Sequence, residues 1–319
     1  MGGRSGSVLV LTNPFDVTAD VVLRALAERR VPVVRLDPGT DLHAGASLTA
    51  AYRTGGRRGI LRTADRDLDL LAVRSVWVRR ASPYEGPSEL GGQERRFAAS
   101  QALWGAGGIL ASLPAAHYVN HPWANRAAEN KPAQLAAAQR FGFPVPDTVI
   151  TNSADEAREF VAAQDFGAVY KPLWNTPYAV DGRPHAVWVR EVDPADITGA
   201  VSACPHLFQA KVPKAFDVRV TAVGDRLFGV RIDSPDLDWR RRQDRMACTP
   251  IDVPEQVARP IAAYLAELRL VYGAFDFAVT ASGAWYFLEC NPNGQWAWQP
   301  AETTDAIAHA LADQLQKGP

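Results

Sequence analysis

The opening of the chain alternates between two kinds of pattern, and this restricts the fold most. Val8 to Thr12 is a short apolar run, Asn13-Pro14 interrupts it, a helical stretch follows from about Asp16 to Arg30, and Val31 to Leu36 is apolar again. A strand, a helix and a strand in that order favour a parallel sheet with crossover helices. Ser75 to Arg79 supplies a further strand, and Gln93 to about Leu113 is helical in pattern, with Gly105, Ala106, Gly107 and Gly108 weakening its later half. These elements define a first domain over 1–118.

The next stretch is punctuated differently. Asn130-Lys131-Pro132 opens an Ala-rich helix that Gly142 ends, since Asn suits an N-cap, Pro the first turn and Gly the position after the last. Ser153 with Glu156 forms a capping box, and Asp193-Pro194 opens a third helix in the same way. Strands at 168–171 and 186–192 complete a small α+β unit over 119–205. The remainder, 206–319, carries strands at 207–212, 218–223, 227–232, 273–280 and 284–290. It also has a helix over 254–270 with Pro260 inside it, and a last helix after Thr304.

Bulk properties exclude several classes. The formal net charge of -1 lacks the basic surplus of a nucleic-acid binder. Three cysteines, Cys204, Cys248 and Cys290, show no metal-ligand spacing and do not make a disulfide scaffold. The Gly/Ser-rich start has no signal-peptide layout, and no apolar run approaches the roughly 18 residues of a membrane span. The expected setting is the cytoplasm.

The sharpest local signal is a carboxylate pair. Gly273 to Thr280 and Ala284 to Asn291 flank Ala281-Ser282-Gly283. If Ser282-Gly283 are the two central residues of a tight turn, 280 pairs with 285 and Asp276 falls opposite Glu289. Asn291 then shares the face of Glu289, while Phe275, Phe277, Val279, Tyr286 and Leu288 form a core face. Opposed residues have Cβ atoms roughly 4.5–5.5 Å apart. A divalent cation would offset the repulsion, and two carboxylates with an amide oxygen suit Mg²⁺ held jointly with phosphates. A solvated sheet edge, or a register one residue off, accounts for the same pattern without a metal.

No Gly-x-x-x-x-Gly-Lys-Ser/Thr loop is present, so a nucleotide needs another cradle. From Asn120 to Trp298 the motifs run in a distinctive order. Asn130-Lys131 with Gln134-Leu135 comes first, then Phe143-Pro-Val-Pro146 and Val169-Tyr-Lys171-Pro172. Leu207-Phe-Gln209-Ala-Lys-Val212, Phe216-Asp217-Val-Arg219, Phe275-Asp276 and Leu288-Glu289-Cys-Asn291-Pro-Asn follow. In this series the chain resembles the ATP-grasp superfamily. The resemblance implies an N-terminal pre-ATP-grasp α/β domain, with central and C-terminal α+β domains clamping ATP. It implies that Lys131 and Lys171 contact phosphates, that Gln209, Lys211 and Val212 belong to an adenine-pairing linker, and that Asp276, Glu289 and Asn291 bind Mg²⁺. Arg219 and Arg231, on neighbouring strands, would stabilise charge on the transferred phosphoryl group. Their alternative is cross-strand surface pairing. Many relatives have Glu in the linker where this chain has Gln209 or Ala210. The loop 173–185 would be a flap, with Gly182 its one glycine.

Val76-Trp-Val-Arg79-Arg80 and Asn291-Pro-Asn-Gly-Gln295-Trp296-x-Trp298 narrow the likeness to ATP-grasp ribosomal peptide maturases, the graspetide or microviridin-type ligases. That likeness implies activation of an Asp or Glu side chain of a precursor peptide as an acyl phosphate. A Ser or Thr hydroxyl, or a Lys amine, of the same peptide then forms an ω-ester or ω-amide macrocycle. It also implies a homodimer, and substrate-facing roles for Asp217, Arg79, Arg80, Arg240 and Arg241. For Arg240 and Arg241 a solvated charged loop, neutralised by Asp236, Asp238 and Asp244, is the competing reading. Two other functions remain open. One is a ligase that adds a free amino acid or amine to a peptide or small acid. The other is a non-catalytic ATP-binding protein.

Overall fold

The crossover unit at the start forms as the pattern dictates. In the computed structural model, which describes residues 6–174, 178–180, 183–185 and 187–318, β1 (Ser7–Leu11) pairs in parallel with β2 (Val33–Leu36) and β6 (Val73–Val78). The strand β7 (His117–Val119) extends this sheet, whose order is β2-β1-β6-β7. Helix α1 (Val17–Glu28) is capped by Asp16 and buries Ala19, Val22 and Leu26, the i, i+3, i+7 spacing of one face. An antiparallel sheet of β3 (Ser47–Arg53), β4 (Gly56–Arg62) and β5 (Asp67–Asp69), unassigned from the sequence, packs Leu61 and Leu68 with Leu9, Leu11, Val34 and Leu36 in a second core, on the face of the parallel sheet away from α1. The helical pattern after Gln93 divides as its glycines suggest: α2 (Gly92–Ala102) passes through a π turn at 103–107 into the single turn α3 (Gly108–Leu110).

Helices α4 (Pro122–Ala128) and α5 (Lys131–Arg140) lie next in the chain, with Asn130 capping α5 at Ala133 N. They pack not with the central unit but with the C-terminal core, where Ala137 and Ala138 meet Phe275, Phe277 and Phe287.

The central sheet has the order β12-β9-β13-β8, from β8 (Thr148–Thr151), β9 (Ala168–Lys171), β12 (Arg190–Val192) and β13 (His206–Ala210). Here the expected boundary is corrected. The strand at 206–210 lies between β9 and β8 instead of opening the last domain, because its backbone partners are there. The Ser153 cap opens α6 (Ala154–Ala162) as expected. Asp193-Pro194, by contrast, opens only a short 3₁₀ turn, with Asp193 accepting from Ala195 N. Between β9 and β12, β10 (Tyr178–Val180) and β11 (Arg183–His185) pair with each other as a separate hairpin.

The C-terminal sheet is antiparallel throughout, in the order β16-β15-β14-β17-β18. Its strands are β14 (Lys214–Val223), β15 (Arg226–Asp233), β16 (Ala247–Ile251), β17 (Tyr272–Thr280) and β18 (Trp285–Asn291). One face packs on α7 (Glu255–Glu267), whose Val257, Ile261, Tyr264 and Leu265 are buried. Helix α8 (Ala301–Lys317) returns to the first domain. Leu311 and Leu315 join Val22, Leu26 and Trp77 in one core, and Ser75 Oγ donates to Leu315 O at 2.7 Å. Among the described residues no helix is long and apolar enough to cross a membrane.

Candidate nucleotide and metal site

Asp276 and Glu289 stand opposite one another in the register of β17 and β18, though by a different route from the one expected. The turn holds three residues, not two. Thr280 N donates to Ala284 O, and Gly283 takes φ +84°, a left-handed conformation that suits glycine. Val279 therefore pairs with Trp285 and Phe277 with Phe287, one residue off the expected register. A bulge between Phe277 and Asp276, with Leu288 as the extra residue, then restores the pairing of Asp276 with Glu289. The predicted core face is corrected accordingly. Phe287, not Tyr286 or Leu288, packs with Phe275 and Phe277, while Leu288 and Glu289 both line the cleft.

That cleft lies between the central and C-terminal sheets. Its central wall includes Val169, Lys171 and the linker Gln209 to Val212, and its other wall Asp217, Asp276, Leu288 and Glu289. Lys171 ends β9 with its side chain buried, and donates to Gln209 Oε1 at 3.3 Å. Burial lowers its pKa, while the charge of Glu289 acts the other way. Gln209 uses its other end on Thr148 Oγ1 at 2.9 Å. Its amide thus orients Lys171 instead of facing a nucleotide. In the linker, Ala210 N donates to Asp147 O and Lys211 N to Gly167 O, while the Lys211 ammonium pairs with Glu191 at the surface. An adenine would meet the linker around Val212.

Around the carboxylates, cations are dense. Arg219 is buried and grips Asp276 with two bonds, Nε to Oδ1 at 2.6 Å and a terminal nitrogen to Oδ2 at 3.0 Å. Lys131, at the start of α5, lies 3.3 Å from Glu289 Oε2. Arg240 enters from the loop after β15, and one guanidinium nitrogen donates to both Asp276 Oδ2 and Glu289 Oε1. Burial pushes the Glu289 carboxyl up, but Arg240, Lys131, Lys171 and Arg219 together hold it well below the ordinary carboxylate range. Arg240 is shifted the opposite way: burial lowers it, yet Asp276, Glu289 and Asp238 raise it above its usual value. A positive group bridges the two carboxylates where the sequence argument expects a metal ion. The oxygen donors of Asp276, Glu289 and Asn291 suit a hard divalent cation that keeps part of its shell for phosphates. Among the described residues no group of three or more His, Cys, Asp or Glu could hold a metal unaided.

A second, larger cavity adjoins the first at Glu289 and Arg240. Its lining has five cationic residues, Arg79, Arg80, Lys131, Arg219 and Arg240, against two acidic ones, Glu129 and Glu289. Trp174 and Trp188 line it with Trp239 and Trp298. The last two also flank the Arg219 guanidinium, at 5.3 and 5.9 Å from their ring centres.

The structure separates the other expected residues. Asn291 lines the second cavity at the end of β18, and its Oδ1 accepts from Asn293 N at 2.9 Å. Asp217 faces the cleft, bonded to Lys214 at 2.5 Å, and burial pushes its carboxyl up to about 6. Arg80 is exposed at the second cavity. Arg79 is buried, with Nε 3.3 Å from Asp16 and another nitrogen donating to Asn293 O and Gly294 O. It holds the loop after Asn291 instead of presenting its charge to a substrate. Arg241 is exposed and lines neither cavity. Arg231 is corrected outright. It pairs with Val218, on the opposite face from Arg219, stacks over Phe216 at 4.0 Å and bonds Asp233 at 2.7 Å. Neighbouring strands do not imply a shared face when positions differ by one in register. Of the flap expected over 173–185, residues 175–177 and 181–182 lie outside the described residues, as does 186. Sequence reasoning missed Leu288, Lys214 and Trp239, weighed Trp298 between a peptide channel and the core, and weighed Arg240 between a substrate contact and loop charge. An Arg directly after a Trp in a densely charged loop was the available signal.

A family model described as the MvdD pre-ATP grasp domain matches residues 7–126. Among solved structures, a RiPP-associated ATP-grasp ligase from Chryseobacterium gregarium, in complex with ADP and a leader and core peptide, superposes with a TM-score of 0.88. It is 25% identical, with 98% of each chain covered. The macrocyclase MdnC of Microcystis aeruginosa MRC, bound with precursor peptide MdnA, gives 0.86 at 25% identity over 98% of this chain and 100% of that one. The macrocyclase MdnB of the same organism gives 0.82 at 28% identity over 98% and 100%. No curated protein matches the chain.

Proposed function

We propose that this chain, an ATP-grasp ligase with an MvdD-type pre-ATP-grasp domain, activates an Asp or Glu side chain of a precursor peptide with ATP. It then joins that acyl group to a Ser or Thr hydroxyl, or a Lys amine, of the same peptide. One observation carries the reading: Glu289 and Arg240 line both cavities, so the carboxylate centre is the junction between the cleft lined by Lys171 and the Gln209–Val212 linker and a larger chamber with several cationic residues in its wall.

In this reading a carboxylate oxygen of the peptide attacks the γ-phosphorus of ATP, and ADP leaves. The hydroxyl or amine then attacks the acyl carbon, phosphate leaves, and the nucleophile's proton is released. Mg²⁺, held by Asp276, Glu289 and Asn291, would neutralise phosphate charge. Lys131 and Lys171 hold the phosphates as point charges, and Gln209 keeps Lys171 aimed at them. Arg219 fixes Asp276 through two parallel bonds. Once displaced from the carboxylates, Arg240 is free to meet the anionic peptide side chain. Arg80 and Lys131 in the wall of the larger chamber, with Arg240 once displaced, favour an acidic peptide. Holding both reacting ends of one chain lowers the entropic barrier to closure. Two of the similar structures contain a leader and core peptide or a precursor peptide, which supports a peptide substrate. A homodimer in the cytoplasm completes the reading, and light scattering of the purified chain tests the dimer.

Intact-mass spectrometry of enzyme, candidate acidic peptide, ATP and Mg²⁺ tests the reaction. Loss of one water per bond, only with ATP, is the expected result. A mass gain equal to an added amino acid or amine would replace it with the free-amine ligase reading. No ATP-dependent change with any candidate peptide would overturn the peptide substrate.

A further inference from the structure

The strand β18, which carries Glu289 and Asn291, is the outer strand of its sheet, so among the described residues one backbone edge has no strand beside it. An unpaired edge this close to a reactive centre needs partners from elsewhere. Gln134 supplies them. Its side chain is buried, its Nε2 donates to Cys290 O at 2.8 Å, and its Oε1 accepts from Cys290 N at 3.1 Å. Nε2 also donates to Ala128 O at 2.6 Å, which ties the amide to the end of α4. The side-chain amide makes the two bonds that a neighbouring strand would make.

Cys290 separates Glu289 from Asn291, and its thiol is buried in the apolar core. Its N–H belongs to the peptide plane shared with Glu289, and its carbonyl to the plane shared with Asn291. Fixing both planes fixes the direction in which each flanking side chain leaves the strand. Gln134 lies three residues after Lys131 on α5, on the same helix face. Lys131 meets the Glu289 carboxylate itself. One helix face therefore grips the same strand twice, by charge at the carboxylate and by hydrogen bonds at the backbone behind it.

We propose that Gln134 is a positioning residue for the metal site, holding Glu289 and Asn291 in their ligand directions through the Cys290 backbone. The inference rests on the reading of Asp276, Glu289 and Asn291 as the magnesium ligands. It is tested by calorimetric titration of the full chain with ADP, once with Mg²⁺ and once with EDTA. In the wild type, Mg²⁺ tightens ADP binding. Gln134→Met keeps the side-chain length without the bonds, and is expected to shrink that tightening by about tenfold while the EDTA affinity stays unchanged. Gln134→Glu keeps the acceptor for Cys290 N–H and is expected to lose less. It also carries the test if the Met variant fails to fold. Wild-type magnesium dependence in a folded Gln134 variant overturns the proposal, and so does an equal loss with and without Mg²⁺, which marks a purely structural role. A wild type indifferent to Mg²⁺ overturns the magnesium reading itself, a distinct result because it needs no variant.

Discussion

Asp276 and Glu289 face one another only because a bulge at Leu288 compensates for the residue that the three-residue turn adds to the hairpin. The same bulge puts Leu288 beside Glu289 on the cleft wall, so an apolar side chain and a carboxylate that line the same cleft are neighbours in sequence.

Removing the carboxylate separates chemistry from folding. Glu289 has a side chain 19% exposed and makes no apolar core contact in the way Phe287 does. We expect Glu289→Ala to lower product formation by at least about 100-fold, the upper end of losses at metal-ligand shells. Its melting curve should stay cooperative. Mass spectrometry and a thermal melt check both, and full activity would remove Glu289 from the metal set.

Arg240 occupies the two carboxylates that a divalent cation would need. With Arg240→Ala in EDTA, Asp276 and Glu289 confront each other with less compensation. We expect a melting temperature lower by several degrees, roughly what 1–2 kcal/mol produces in a chain of this size. Added Mg²⁺ should close most of that gap, because it supplies the missing charge. A magnesium titration by differential scanning fluorimetry decides this. A gap insensitive to Mg²⁺ would show that Arg240 does not share the metal's place.

Two arginines on adjacent strands should behave oppositely. Arg219 is a buried partner of Asp276, and breaking such a pair costs about 3–5 kcal/mol. Arg231 is an exposed partner of Asp233, and solvent-screened pairs of this kind contribute little. Arg219→Met should therefore lose both stability and activity, while Arg231→Met keeps activity within about twofold of wild type. Parallel denaturation and turnover measurements separate the two.

Asp217 predicts a pH dependence. Burial raises its folded-state pKa from 3.8 to about 6, so the folded chain holds this proton more tightly than the unfolded chain. That contribution to stability is present below about pH 4 and is lost as pH rises through about 6. At about 1.4 kcal/mol per unit it amounts to at most about 3 kcal/mol. Asp217→Asn cannot titrate there. The stability difference between wild type and Asp217→Asn should therefore change between pH 4 and 6, and stay flat from pH 7 to 8. Urea unfolding at a series of pH values measures it, and a flat difference throughout would refute the shift.

Local chemistry was legible from the sequence wherever it acts over a few residues. The strand-helix-strand opening, the Asn130 and Ser153 caps and the apolar face of β17 follow from periodicity and punctuation, and the tertiary structure has all of them. The ordered motifs from Lys131 to Asn291 likewise pointed to the fold that the similar structures share. Only the tertiary structure decided which strand lies beside which. Residues 206–210 join the central sheet, α8 returns to the first domain, and Arg231 falls on the far side of the sheet from Arg219. The period of two orders side chains within one strand, but says nothing about the partner's register. A turn one residue longer and a bulge one residue wide cancel at Asp276, and neither leaves a mark that alternation alone can read.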